Sequence, residues 1–104
     1  MAKYNVDISD LAKQDIRDIA SYISSDLQEP IIAINTTDTV LDAISTLDNM
    51  PERIPLVNNE RLAKQKIRGL QIKSYTAFFR INETLKTVDI IRVLYSRRDW
   101  QALL

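Results

Sequence analysis

Nine residues near the end of the chain, Thr87 to Tyr95, carry apolar side chains on both alternating faces. By period two, Val88, Ile90 and Leu94 fall on one side, and Ile91, Val93 and Tyr95 fall on the other. A strand that is apolar on both faces is a central one, covered above and below. The remainder of the 104 residues has to be arranged around it.

Upstream, Tyr75 to Ile81 is rich in β-forming aromatic residues, and Asn82-Glu83-Thr84 is a turn signal joining it to the central strand. Lys66 to Ile72 alternates basic or polar with apolar residues and reads as a further strand, with Ile67 and Ile72 as inward candidates. Gly69, the only glycine, breaks that alternation and points to a bulge or a close backbone approach. Another strand opens the chain, where Tyr4, Val6 and Ile8 alternate with Lys3, Asn5 and Asp7.

Two helical segments lie between. Ser9 is placed as an N-cap with Asp10 in the first turn, where the helix dipole favours an anion. Ala12, Ile16, Ile19, Ala20, Ile23 and Leu27 then recur at spacings of three and four, with Asp15, Arg17, Asp18 and Ser25 largely off that face. Glu29-Pro30 breaks this helix and starts a second one. Its stripe runs through Ala33, Ile34, Thr37, Val40, Leu41, Ile44 and Leu47. Residues 49–62 read as an irregular connection, and a short last helix after Ser96 carries Trp100, Leu103 and Leu104. The order β-α-α-β-β-β-(α) describes one α+β domain over residues 1–104, an antiparallel sheet with a helical hairpin packed on one face.

Composition removes several function classes. Without cysteine there is no thiolate chemistry and no disulfide framework; without histidine there is no Ser-His or Cys-His catalysis and no imidazole-bound metal. A single glycine cannot build a phosphate-binding loop, and no metal-ligand spacing is present, so no cofactor is expected. No apolar run reaches the roughly 18 residues of a membrane span, and the first residues hold no signal-peptide stretch. A cytoplasmic protein without membrane contact is the expectation.

The formal charge of zero conceals an asymmetry. Residues 1–52 hold ten acids and three bases, net −7, whereas residues 53–104 hold eleven bases and four acids, net +7. If the halves occupy different parts of the fold, a basic face fit for nucleic acid or an acidic protein segment results. The alternative is mutual neutralisation across an internal interface. Arg61, Lys64, Lys66, Arg68, Lys73, Tyr75, Arg80, Arg92, Tyr95, Arg97, Arg98 and Trp100 all fall on or beside the expected strands. Guanidinium groups hold phosphate bidentately, and aromatic rings stack on exposed bases. Such a set has the means to cleave RNA without histidine or metal. A cation would stabilise the phosphorane, and a lysine or tyrosine of lowered pKa would take the 2′-OH proton. Arg97-Arg98, adjacent where a strand ends, is the best candidate, whereas Tyr75, Phe78 and Phe79 read as core. Arg80 and Arg92 have Glu83 and Asp89 as candidate partners.

The ordered set of segments resembles the RelE/ParE superfamily of bacterial toxins. It comprises Ser9 to Ile16, Asp18 to Ile23, Met50-Pro51, Lys66 to Leu70, Tyr75 with Phe78 to Ile81, and Val88 to Asp99. The resemblance implies the toxin of a type II toxin–antitoxin module of the plasmid-stabilisation type, neutralised by a cognate antitoxin that wraps a segment around it. RelE-like members cut mRNA in the ribosomal A site with cations on the sheet; ParE-like members poison DNA gyrase and lack that set. Carried over, the ribonuclease pattern matches Lys73 to a strand lysine and Arg97 or Arg98 to the arginine that ends the last strand; with Lys66 as a further cation, the catalytic residues expected are Arg97, Arg98, Lys73 and Lys66. Arg61, Lys64, Arg68, Arg80 and Tyr95 then bind nucleic acid or another target. Two positions depart from it: Thr76 stands where an arginine would follow a tyrosine, and Leu103 and Leu104 end the chain where a late tyrosine would be. The long helical hairpin is more ParE-like. The charge asymmetry tips the expectation slightly towards a ribosome-dependent mRNA endonuclease, with a gyrase poison or an inactive, binding-only member as alternatives. The antitoxin segment expected is acidic and amphipathic.

Overall fold

The computed structural model describes residues 3–104; the expectation about the first residues falls in part on Met1 and Ala2, which lie outside them. Strands β1 (Asn5–Ile8), β2 (Arg68–Ile72), β3 (Tyr75–Asn82) and β4 (Thr87–Tyr95) form one sheet in the order β1-β4-β3-β2. The double-faced strand β4 is indeed interior. β2, β3 and β4 pair antiparallel, as hairpin neighbours must, but β1 runs parallel to β4. The sheet is therefore mixed rather than antiparallel. The two-helix crossover between β1 and the remaining strands returns the chain in the same direction, which permits the parallel pair.

Helix α1 (Asp10–Ser21) begins as its sequence dictates, with the Ser9 hydroxyl accepting from Ala12 N–H at 3.0 Å. It passes into a π-helical turn at Tyr22–Asp26, and Gln28 takes a left-handed φ of 54° before α2 (Pro30–Ser45) starts on its proline. Ala12, Ile16, Val40, Ile44 and Leu47 of this hairpin pack on Ile72, Ala77, Phe79, Val88, Ile90 and Val93 of the sheet. Burying each of the larger groups contributes about 1.5–3 kcal/mol. Three stripe residues are exposed instead: Leu27, Ile34 and Leu41. Asp15 departs in the other direction, being buried at 7 % exposure.

The faces of β4 also differ from simple alternation. Phe78 pairs with Arg92 and Phe79 with Ile90, so Ile91 is an extra, bulged residue. Beyond it the faces exchange: Val93 joins Val88 and Ile90 under the hairpin, and Leu94 joins Phe78 on the opposite side. That second face is covered by α3 (Glu60–Lys64), which begins within the stretch read as irregular and runs past its end, and by a 3-10 turn at Trp100–Leu103. Asn59 caps α3 by accepting from Leu62 N–H at 3.0 Å. Ile67 and Ile72 are both buried, but on opposite faces. Gly69 meets the close approach its position implied. A Cβ there would lie 3.1 Å from Thr76 Cγ2 and 3.3 Å from Val57 Cγ1.

Because β1 stops at Ile8, opposite Ile90, the rest of β4 has no strand beside it on that edge. The start of α1 takes its place. Ser9 donates from its backbone N–H to Ile90 O and from its hydroxyl to Ile91 O. Nearly two turns on, the Asp15 carboxylate accepts from Val93 N–H at 3.0 Å and from Arg92 Nε and Nη2 at 2.8 Å each. Arg92 thus pairs with Asp15 and not with Glu83 or Asp89, its sequence neighbours.

Candidate functional site

Register brings some of the candidate cations together and separates others. The two-residue turn Lys73-Ser74 joins β2 to β3, with Lys73 at a left-handed φ of 52°. Tyr75 pairs with Tyr95, and Ser96 N–H donates to Ser74 O at 2.8 Å. Lys73, Arg97 and Arg98 therefore emerge at the same end of the sheet, all exposed. Tyr95 is half-exposed there, edge-on to Tyr75 with ring centroids 6.0 Å apart.

Lys66 is elsewhere. It follows α3 and precedes Arg68, which pairs with Phe79, so it lies on the order of 13 Å or more along the strand direction from Lys73. Arg61 and Lys64 sit on α3, where Arg61 Nη2 donates to Gln101 O at 2.8 Å and Lys64 pairs with Glu60 at 3.5 Å. Arg68 is engaged at home, donating to the Ile54 carbonyl at 2.6 Å. Arg80 stands opposite Asp89, five residues down β3 from Tyr75 and roughly 17 Å away.

Between these cations the second face of the sheet is neutral. A groove of about 210 Å³ there has Gly69, Gln71, Thr76 and Ser96 on its floor and Phe78 and Trp100 as an aromatic wall. Gln71 Nε2 donates to Ser96 Oγ at 2.8 Å, and Thr76 and Ser96 share a hydrogen bond of 2.8 Å. Thr76 also donates to Gln71 Oε1 at 3.3 Å. Each of these side chains already has a partner, and none carries charge. Sequence reasoning marked only Thr76 of this set, as a departure. Gln71 and Ser96 carried no signal until the pairing of β2, β3 and β4 set them beside it.

A larger cleft of about 660 Å³ opens at the Lys73 end, between α1 with its π turn and the ends of β3 and β4. Tyr22, Tyr75, Tyr95, Asp18 and Arg98 are among its lining residues. Burial holds the Tyr75 hydroxyl above the ordinary phenol value, with Tyr95 and Tyr22 adding to the effect. That direction works against phenolate base chemistry. No group of three or more acidic side chains converges as a metal site among the described residues.

Residues 6–100 match the sequence model of ParE_toxin, the ParE toxin of the type II toxin-antitoxin system parDE. The chain belongs to the ParE toxin family. No curated protein matches it significantly by sequence. Among solved structures, a chain of the chromosomal ParDE system from P. aeruginosa superposes with a TM-score of 0.75 at 16% identity, covering 91% of this chain and 98% of that one. The toxin–antitoxin complex RelBE2 from Mycobacterium tuberculosis gives a TM-score of 0.63 at 20% identity over 89% and 98%. At those identities the two structures speak for the fold alone, the mixed sheet and helical hairpin that ParE and RelE toxins share. No helix of this ParE-family chain, among the described residues, is long and apolar enough to cross a membrane.

Proposed function

We propose that this toxin arrests growth by binding its target, DNA gyrase, rather than by cutting RNA, and that a cognate antitoxin neutralises it. The observation that carries this reading is the uncharged Gln71–Thr76–Ser96 network on the sheet. Metal-free cleavage of RNA needs two or three cationic or acid–base groups within hydrogen-bond reach of one phosphate. Here the floor between the candidates is neutral and self-satisfied, Arg68 is held by a carbonyl, and Lys66 lies at a distance. Family membership supports the same reading, since the ParE branch is the one for which a gyrase target is implied. The antitoxin partner is supported by the neighbours, both of which belong to toxin–antitoxin systems.

One observation favours the ribonuclease reading that charge asymmetry suggested: Lys73, Arg97 and Arg98 emerge at the same end of the sheet. The two readings separate in a single induction experiment. Under the gyrase reading, induction leaves ribosome-bound mRNA uncut, and the purified toxin stabilises covalent gyrase–DNA cleavage complexes. New mRNA ends inside ribosomes, abolished by Arg97→Ala with Arg98→Ala, would replace it with the ribonuclease. Folded protein that accumulates without arresting growth would leave only a binding role.

A further inference from the structure

The hairpin turns an unexpectedly apolar surface outward. Ile31 is 72% exposed, Ile34 61% and Leu41 41%; spaced by three and seven residues, they share one face of α2. Beside Ile34 runs a groove between the end of α1 and α2, walled by small residues including Ala20, Ser21, Ser24 and Ala33. Small walls allow a guest backbone to approach closely. The residues that the helical stripe placed in the core, Ile34 and Leu41, are the ones facing out, so this strip is left uncovered among the described residues.

Charge says what the occupant must be. No lysine or arginine occurs between Arg17 and Arg53, while seven acids do. Asp26, Glu29, Asp38 and Asp42 are exposed around the strip, and no ion pair engages them among the described residues. A second copy of the same face would meet like charge, and an anionic lipid surface would be repelled in the same way. We propose that this face docks an amphipathic helix of a partner protein whose apolar anchors are flanked by lysine or arginine. In helix-in-groove recognition the docking helix lays anchors spaced by three, four and seven residues on an apolar surface of this kind. The proposal is independent of the gyrase and RNA readings, and it places an acid-attracting, not an acidic, partner on the hairpin.

The test uses the full chain and two synthetic helical peptides of about 18 residues with leucine anchors at those spacings, one flanked by lysines and one by glutamates. Fluorescence anisotropy should show the lysine peptide binding roughly tenfold or more tighter at about 0.05 M salt, with the gap closing towards 0.5 M. Ile31→Ser with Ile34→Ser, both mostly exposed, should lower that affinity about tenfold while moving the thermal midpoint little. Leu85→Ser, an equally exposed leucine on the β3–β4 turn, should leave it unchanged. Equal binding of the two peptides, binding of neither, indifference to the isoleucine change, or an equal loss with Leu85→Ser would each overturn the proposal.

Discussion

Asp15 accepts hydrogen bonds from Nε and Nη2 along one edge of the Arg92 guanidinium and from the Val93 backbone, and the two side chains are only 8% and 14% exposed. Arg92 also reaches the Leu103 carbonyl at 3.5 Å, so the pair ties α1 to β4 and to the C-terminal turn. The Asp15 hydrogen bond, against the opposing effect of burial, raises the Arg92 pKa. Removing one member leaves the other buried without compensation, which typically costs about 3–5 kcal/mol. Asp15→Ala should therefore lower the free energy of unfolding by that amount in urea titration. Replacing both residues by apolar side chains of similar volume should restore much of the loss. An Asp15→Ala change below about 1 kcal/mol would show the pair to be dispensable. In the sequence Asp15 looked like a solvated acid because helical spacing locates a face but not what stands opposite it. The unpaired edge of β4 exists only once β1 has ended early, a tertiary fact.

At the level of elements, β1 is four residues long and is fastened at its start by a side-chain cluster. The Tyr4 hydroxyl donates to the Glu83 carboxylate at 2.9 Å, and Lys86 Nζ lies 3.0 Å from the same oxygen and 5.2 Å from the Tyr4 ring centre. The Lys86 hydrogen bond, then that of Tyr4, holds the Glu83 carboxyl below its ordinary value. A carboxyl depressed in the folded state adds stability above its unfolded pKa and surrenders it as pH falls through the folded one. The group is exposed, so the effect is small. Wild type should melt slightly above Glu83→Gln near neutral pH, with the gap shrinking below about pH 4.3 in thermal scans. A gap that widens in acid contradicts this assignment. Strand and helix identities were legible because β-branched alternation and capping are local signals: Ser9, Pro30 and the Asn82-Glu83-Thr84 turn act where they stand. The direction of β1 and the Ile91 bulge were not, since both are settled by which strand becomes the neighbour.

For the whole molecule, folding distributes the eleven bases of the second half instead of pooling them. Lys73, Arg97 and Arg98 share one end of the sheet, Arg80 is near the other, and Arg61 and Lys64 ride on α3. The cationic half was legible in the sequence; its division was not, because strand register decides which residues meet. The acidic hairpin occupies one face, and the C-terminal turn closes the opposite one, Trp100 lying 5.0 Å from Phe78. Deleting residues 100–104 uncovers Phe78 and Leu94. The expected loss is about 2–4 kcal/mol, together with new binding of a hydrophobic dye. A truncated chain as stable as the parent would mean that α3 alone seals that side.

The early end of β1 carries one more consequence. With Ser9 and Asp15 standing in for a missing strand, β4 offers no template to other molecules despite its Val-Leu-Tyr tip. Remove the carboxylate and the backbone amide it occupies becomes available for intermolecular ladder formation, the route by which open sheet rims seed fibrils. One acidic side chain thus also keeps the Val93 amide of this edge from pairing with another molecule.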